Sequence, residues 1–428
     1  MFNQYEWPHI TYISDVLPYI EDAPEITVRQ RDGGITVIDY AFIQDSTFPP
    51  VQSDDDKKAI IRRECRGLIF HTDTGILARR GYHKFFNVQE RAETHPDHFI
   101  EDPLRPETKH MVLEKLDGSM VTPFVMPEGG IIRWATRGGI TDVSMQAESF
   151  AVEHPEYKYL ARYLLFDGCE PITPIFEWCS RQQRIVMDYP DDRLVLTGAR
   201  YLWSGRYLPY GEMYRVAKSF GVPVVKPWKV NSRFSGSNDI SKIIAHIRED
   251  TGYEGVVIRF NRSGHMAKLK TAWYVGIHRA RDMVAREHDA IKAILTGGYD
   301  DLRPLLISDD QERLDKLADA VQADMRAFVS KVIEILKEAA EKGTTRKDFA
   351  ISTREMESMI RHTCFAVWGE PIDSALRAKV YEHTSKSVIA YIPRRDQHAA
   401  VKQVLVTSWK DRFNAPLLLD DGRTACVG

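Results

Sequence analysis

Met111-Val112-Leu113-Glu114-Lys115-Leu116-Asp117-Gly118-Ser119 is an apolar run that ends in a lysine, an acid and a glycine. The run reads as a strand, and Asp117-Gly118 as the tight turn that closes it. A lysine there is presented at a fixed place instead of moving freely over a surface. Lys-x-Asp-Gly has only three fixed letters, so a chain of this length meets it by chance about one time in ten. Taken alone it is a surface turn more often than a nucleophile. What surrounds it in the sequence decides the reading.

Further segments stand around it in a set order. Glu64-Cys65-Arg66-Gly67 comes first, followed by Tyr82-His83-Lys84-Phe85-Phe86-Asn87. After the lysine come Trp134-Ala135-Thr136-Arg137-Gly138, then Phe176-Glu177-Trp178, Glu254-Gly255-Val256-Val257-Ile258 and Ala267-Lys268-Leu269-Lys270, the last three in strand-like runs. Each has an ordinary reading: Glu177 as the outward residue of a half-buried strand, Lys268-Leu269-Lys270 as an exposed edge, Phe85-Phe86 as core. Their joint occurrence within about 200 residues is what those readings fail to explain.

The set resembles the covalent nucleotidyltransferases, the ligases and capping enzymes that carry AMP or GMP on a lysine. The chemistry needs each residue type. A lysine attacking an α-phosphate must lose a proton against an ordinary pKa of about 10.4. Mg²⁺, Arg66, Lys268 and Lys270 would disfavour its ammonium form and lower that value. The same cations would neutralise charge on the phosphoryl oxygens in the transition state. Lys268 and Lys270, two apart on a strand, share a face and can grip one phosphate together. Carboxylates are needed to hold a hydrated Mg²⁺: Glu254 is the first candidate, Asp117 the second, as orienter of the nucleophile or of the metal's waters. Glu177 is the candidate for a ribose hydroxyl. Gly118 allows a turn that a side chain would block. Val256 to Ile258 are expected to form an apolar wall under the base.

Composition sets the frame. The 428 residues allow two or three domains, and 43% hydrophobic with 28% charged residues is an ordinary soluble balance. No apolar stretch reaches the roughly eighteen residues needed to span a bilayer. The start of the chain has no basic-then-apolar leader layout. Cysteines 65, 169, 179, 364 and 426 form no Cys-x-x-Cys and no zinc spacing, which points to a reducing cytoplasm without a disulfide framework. A net charge of −3 excludes a wholesale polycation, so any nucleic-acid contact must be a local basic surface.

Residues 1–110 mix short strand-like runs with turn clusters, and Asp32-Gly33-Gly34 predicts a hairpin. Ser53-Asp54-Asp55-Asp56-Lys57-Lys58 reads as a solvated loop. Strand patterns dominate from 111 to 275. Beyond about 280, Leu314, Leu317, Val321, Met325, Phe328, Val332 and Leu336 recur at helical spacing, with Ser308-Asp309-Asp310 as the expected cap and Gly343 as the stop. Further helices are expected at 346–368 and 373–392. The expected plan is α+β: a nucleotidyltransferase domain, 1–280, of antiparallel sheets with flanking helices, its segment 1–110 family-specific, then an all-helical C-terminal domain, 281–428.

At the level of families, the chain resembles the ATP-dependent RNA ligases of the T-even bacteriophage tRNA-repair type. The resemblance runs through Glu64-Cys65-Arg66-Gly67, Lys84-Phe85-Phe86-Asn87, Lys115-x-Asp117-Gly118-Ser119, Phe176-Glu177, Arg184-Ile185-Val186, Glu254-Gly255 and Lys268-x-Lys270-x-x-Trp273-Tyr274-Val275. It continues through Asp300-Asp301-Leu302 and Arg346-Lys347, and is weakest over the last thirty or so residues. It implies joining of 5′-phosphate and 3′-hydroxyl RNA ends, with AMP passing from ATP to Lys115 and then to the 5′-phosphate. It implies Arg66, Lys84, Phe86 and Arg137 around the nucleotide and RNA phosphates, Glu254 at Mg²⁺ (Mn²⁺ serving in its place), and Lys268 and Lys270 on the α-phosphate. It implies tRNA cleaved in the anticodon loop as substrate, selected with help from the helical domain, and a monomer in a phage-infected bacterial cytoplasm. A partner kinase-phosphatase preparing the ends is compatible with it. Leu116 stands where phage relatives carry an acid, and Arg137 where lysine is usual, a change that alters phosphate geometry.

Two other classes share features. A DNA ligase or GTP-using capping enzyme would place a β-barrel after the Lys-x-Lys strand, where helices are expected here; Arg394-Arg395-Asp396 only faintly echoes their terminal motif. A non-catalytic RNA-end binding protein would be expected to lose the lysine, a carboxylate or a distal lysine, and all are present.

Overall fold

The computed structural model describes residues 5–391 apart from 45, 54, 102–103, 106–108, 229–239, 286 and 307. Arg394-Arg395-Asp396 and Cys426 lie outside the described residues. Strands β1 (Ile26–Arg31) and β2 (Ile35–Tyr40) pair antiparallel as the expected hairpin. Helix α1 (Lys57–Glu64) follows, so Lys57 and Lys58 are helical and not loop; Asp56 caps it, Oδ1 accepting from Ala59 N at 3.1 Å. Strands β3 (Leu68–His71) and β4 (Leu77–Arg79) complete a sheet ordered β1-β2-β3-β4.

The quoted stretch then does one specific thing: it crosses between two sheets. Strand β5 (His110–Lys115) ends on the lysine, and β6 (Ser119–Val125) begins on Ser119. Strand β6 belongs to a four-stranded sheet, β7-β6-β8-β9, with β7 at Ile132–Ala135, β8 at Ile172–Cys179 and β9 at Arg193–Tyr201. Strand β5 is an edge of a three-stranded sheet, β11-β10-β5, with β10 at Gly255–Phe260 and β11 at Met266–Lys270.

Helices interrupt the stretch that reads as strand-rich. Helices α2 (Asp142–Glu153) and α3 (Pro155–Phe166) pack Ala147, Ala151, Tyr157, Leu160 and Leu164 against Val121, Trp134, Phe176 and Trp178 of the four-stranded sheet. Helix α4 (Tyr210–Phe220) adds Met213 and Ala217 to the same core. Helix α5 (Ile240–Glu249) covers the outer face of the three-stranded sheet, where Ile244 and Ile247 meet Val256, Ile258 and Leu269. Burial of each large apolar side chain contributes about 1.5–3 kcal/mol, which makes these clusters the main source of order around the site.

The described residues fall into two compact units that divide between Val275 and Gly276. Helix α6 (Ala272–Ala285) runs over that division. The second unit is helical: α7 (Glu287–Leu295), α8 (Tyr299–Leu302), α9 (Ser308–Glu341), α10 (Arg346–Ser352), α11 (Ser358–Ala366) and α12 (Ser374–Tyr391). Leu314, Leu317, Val321, Met325, Phe328, Val332 and Leu336 are all buried, as their spacing predicts. The single helix expected over 346–368 is two, because the chain turns between Ser352 and Ser358, where Thr353 Oγ1 bonds back to Phe349 O at 2.6 Å. No described helix is long and apolar enough to cross a membrane.

Candidate active site

Lys115 is the last residue of β5 and pairs with Gly255 of β10, which pairs in turn with Lys270 of β11. Three chain segments distant in sequence therefore meet in one row. Glu254, just before β10, is buried between the two lysines: its Oε2 lies 2.6 Å from Lys115 Nζ and its Oε1 3.0 Å from Lys270 Nζ. Gly255 has φ +151°, and a Cβ there would meet Lys270 Cα at 2.8 Å and press on the Leu269 carbonyl. Only glycine lets β11 come close enough for Lys270 to reach Glu254. Gly118 has a similar role, since a Cβ would lie 2.9 Å from the carbonyl carbon of Trp178 and 3.1 Å from Cys179 Sγ.

A cavity of about 260 Å³ opens between the two sheets. Lys115, Lys268 and Lys270 line it from one sheet, Met120, Glu177 and Thr197 from the other, with Arg66 and Phe85 at its border. Leu113, Leu116, Val225 and Val257 supply apolar wall. Only Val257 of the expected 256–258 wall faces inward. Strand alternation sends Val256 and Ile258 into the core under α5.

The charges in this space are strongly coupled. Burial opposes the Lys115 ammonium, but Glu254 and Glu177 outweigh it and raise its pKa above the ordinary lysine value. The depression expected above is that of a site with Mg²⁺ beside these cations. In the free protein the carboxylate of Glu254 at 2.6 Å dominates. Lys268 behaves in the opposite way: burial, with Lys84 and Lys115 nearby, lowers its pKa to about 7. Burial also raises Glu177 to about 7, Lys115 offsetting only part of the shift.

The other residues named from sequence sit elsewhere. Asp117 turns inward: its Oδ2 accepts from Val186 N at 2.8 Å and Met187 N at 2.7 Å, and its Oδ1 accepts from the Tyr274 hydroxyl at 2.6 Å. Its oxygens are thus engaged in fixing the 186–187 segment and helix α6 rather than facing the cavity. Phe86 is buried beneath Arg63, Lys84 and Arg91, whose cationic groups lie 5.1, 5.3 and 4.8 Å from its ring. Phe85, the other half of the pair, borders the cavity instead. The cause is backbone pairing: Lys268 N donates to Phe86 O at 3.0 Å and Val88 N to Lys268 O at 2.9 Å, which fixes the faces of the segment. Arg137 pairs with Asp39 at 3.2 Å and lies over the Tyr40 ring at 4.2 Å. Lys84 lies 5.5 Å from the same ring. Burial raises the Tyr40 phenol, but Arg66, Arg137 and Lys84 outweigh it and hold its pKa below the ordinary value. Tyr40 thus marks a concentration of positive charge that sequence reading missed; its only signal was a strand end carrying an aromatic.

Residues 64–274 match the family model described as RNA ligase, which takes in every segment of this site except Asp39-Tyr40. Over these residues the chain is similar to the RNA ligases. A candidate RNA ligase of Thermovibrio ammonificans is 26% identical over 352 residues, 79% of this chain and 85% of its own length. RNA ligase 1 of bacteriophage TS2126 is 25% identical over 243 residues, 56% of this chain and 57% of that protein. Among solved structures, an archaeal ATP-dependent RNA ligase shares 15% identity, covering 74% of this chain and 79% of that chain with a TM-score of 0.40. The site so defined combines one lysine held by a buried acid, a lysine pair two strands away in the same sheet, and an arginine at the rim of a cavity with an apolar wall.

Proposed function

We propose that this RNA ligase is ATP-dependent and works through a lysyl-AMP. The observation that carries the reading is Lys115 lining the inter-sheet cavity, in contact with Glu254 and in one row with Lys270. Once Lys115 has lost its ammonium proton to solvent, its Nζ lone pair forms a bond to the α-phosphorus as the bond to the β-phosphate oxygen breaks, releasing pyrophosphate. Lys268 and Lys270 offset the charge on the α-phosphoryl oxygens. Arg66, Lys84 and Arg137, gathered about Tyr40, suit the pyrophosphate and later the RNA 5′-phosphate. AMP then moves to that 5′-phosphate, and a 3′-hydroxyl displaces it to leave a phosphodiester.

Among the described residues no three His, Cys, Asp or Glu side chains converge as a metal cage. That fits Mg²⁺, which keeps most of its waters and needs one or two carboxylates plus phosphate oxygens. Glu254 is the residue that would hold it, with Mn²⁺ as a substitute; Asp117 positions the turn. The bound ion would supply positive charge at the phosphates. The resemblance to tRNA-repair ligases supports cleaved tRNA as substrate, with the helical unit as specificity module. It also supports a monomeric enzyme acting in a bacterial cytoplasm on ends prepared by a kinase-phosphatase.

The test is incubation with α-labelled ATP or GTP and Mg²⁺, a denaturing gel, and then 5′-phosphorylated RNA or DNA strands. Label from ATP and joined RNA are expected. Label from GTP would move the reading to capping chemistry, and joined DNA alone to a DNA ligase.

The paired charge of Lys115 predicts a pH effect. Glu254→Gln removes the carboxylate that holds the ammonium, so burial and Lys268 should bring the lysine pKa down. The apparent second-order rate of label transfer, which reports the free enzyme, should reach half-maximum at a lower pH than in wild type. Its plateau should fall roughly 10²-fold through loss of the carboxylate. An inflection at the wild-type pH would remove Glu254 as the group that holds the proton.

A further inference from the structure

Arg259 lies on β10, four residues beyond Gly255 and on the same face as Val257. It is 3% exposed and lines the cavity. Its Nη2 donates to Leu208 O at 2.6 Å, and its guanidinium lies 5.5 Å from the Tyr207 ring. Its Nη1 is buried and has no partner among the described residues. Burial opposes its charge, and the phenols of Tyr82 and Tyr207 offset only part of that. Arginine has five donors and no acceptor, and it stays charged in proteins. A donor left unfilled inside a fold is destabilising, the more so when it is charged. Anchoring β10 to Leu208 needs only Nη2, so that role leaves Nη1 unexplained.

Position along the strand says what Nη1 meets. The rungs run from Gly255, paired with Lys115 and Lys270, through Val257, paired with Leu113 and Lys268, to Arg259, paired with Met111 and Met266. At about 3.3 Å per residue, Arg259 stands roughly 13 Å along the strand from the row that holds the nucleophile. That is too far for the α-phosphate and within reach of the other end of a nucleotide. The wall between is apolar, with Leu113, Leu116, Val225 and Val257, which suits the flat face of a base.

We propose that Arg259 reads the base of the nucleotide that loads Lys115, its Nη1 donating to one unprotonated ring nitrogen of adenine. Arg259 is thereby a specificity-determining residue, and the donor buried in the free protein is satisfied by the correct base. The inference rests on the ATP reading above. It predicts that a base without an acceptor at one position binds poorly whatever its shape.

The experiment measures the half-saturating concentration for label transfer with α-labelled ATP and its 1-deaza, 3-deaza and 7-deaza analogues, on wild type and Arg259→Leu. One analogue should need a concentration about 10- to 100-fold higher than ATP on wild type, the range for a hydrogen bond to a charged group. Arg259→Leu should weaken ATP by a similar factor and treat ATP and that analogue alike. Equal concentrations for all three analogues and ATP on wild type would overturn the inference while leaving the ATP reading intact. So would a penalty that persists unchanged in Arg259→Leu, since another group would then hold that nitrogen. No label from ATP at all would remove the reading beneath it. Thermal unfolding confirms that the variant is folded, and if it is not, the wild-type analogue series decides.

Discussion

Lys115→Ala should take up no label from α-labelled ATP, a loss of at least about 10⁴-fold, because no other amine occupies its place in the row. Lys268 lies on the next rung, paired with Val257, and Lys270 is held to Glu254 at 3.0 Å. Lys115→Arg should be equally inactive, and it separates two causes. Arginine keeps the positive charge beside Glu254, so the buried carboxylate remains paired, but a guanidinium does not lose its proton to become a nucleophile. Both variants should still join an RNA supplied with its 5′-end already adenylated, since that step needs only the 3′-hydroxyl, the phosphate-binding cations and the metal. A quantitative comparison of the two reactions on a denaturing gel checks this. Equal loss in both would assign Lys115 a binding role and sink the covalent mechanism.

How much of this was visible in the sequence depends on whether the cause is local or tertiary. Lys268 and Lys270 face one cavity because a strand repeats every two residues, and that is legible from their spacing. The α+β plan and the long helix α9 follow from periodicity in the same way. Phe85 and Phe86 are different: adjacent residues on an extended segment face opposite ways, and the pairing of that segment with Lys268 chooses which one borders the cavity. The Lys115 pKa of the free protein is not legible in the sequence, because the cations around it are plain there, while the 2.6 Å contact with Glu254 exists only after β5 and β10 pair. Asp117 was misplaced for the same reason. Its donors, Val186, Met187 and Tyr274, are 69, 70 and 157 residues away. Helices α2 and α3 carry their own apolar spacing, at Ala147, Ala151, Leu160 and Leu164.

Glu64 gives the second large expected effect, on stability. It is fully buried with Arg200, whose Nη1 and Nη2 each donate to it at 2.7 Å, and with Arg80, whose Nε donates at 3.1 Å. The arginines carry the contact outward, Arg80 to Pro8 O and Trp203 O, Arg200 to Gly205 O and Gly81 O. One carboxylate thus holds α1, β9 and the segment after β4, and fixes the short turn that places Arg66 at the cavity. Glu64→Gln keeps the shape and removes the charge, leaving two buried guanidinium groups without a counter-ion. The expected cost is about 3–5 kcal/mol, or a Tm lower by roughly 10 °C. Burial opposes the Glu64 charge, but Arg200 and Arg80 outweigh it, so its folded pKa lies below the ordinary carboxylate value. A lowered folded pKa contributes stability above the unfolded value of about 4.3, lost as pH falls through the folded value. The gap between wild type and variant should therefore be constant near neutrality and close only below about pH 4. Denaturant titrations from pH 7 downward measure it. A variant as stable as wild type at pH 7 would show that the arginines are satisfied by the carbonyls alone, and Glu64 would lose its place as the anchor of Arg66.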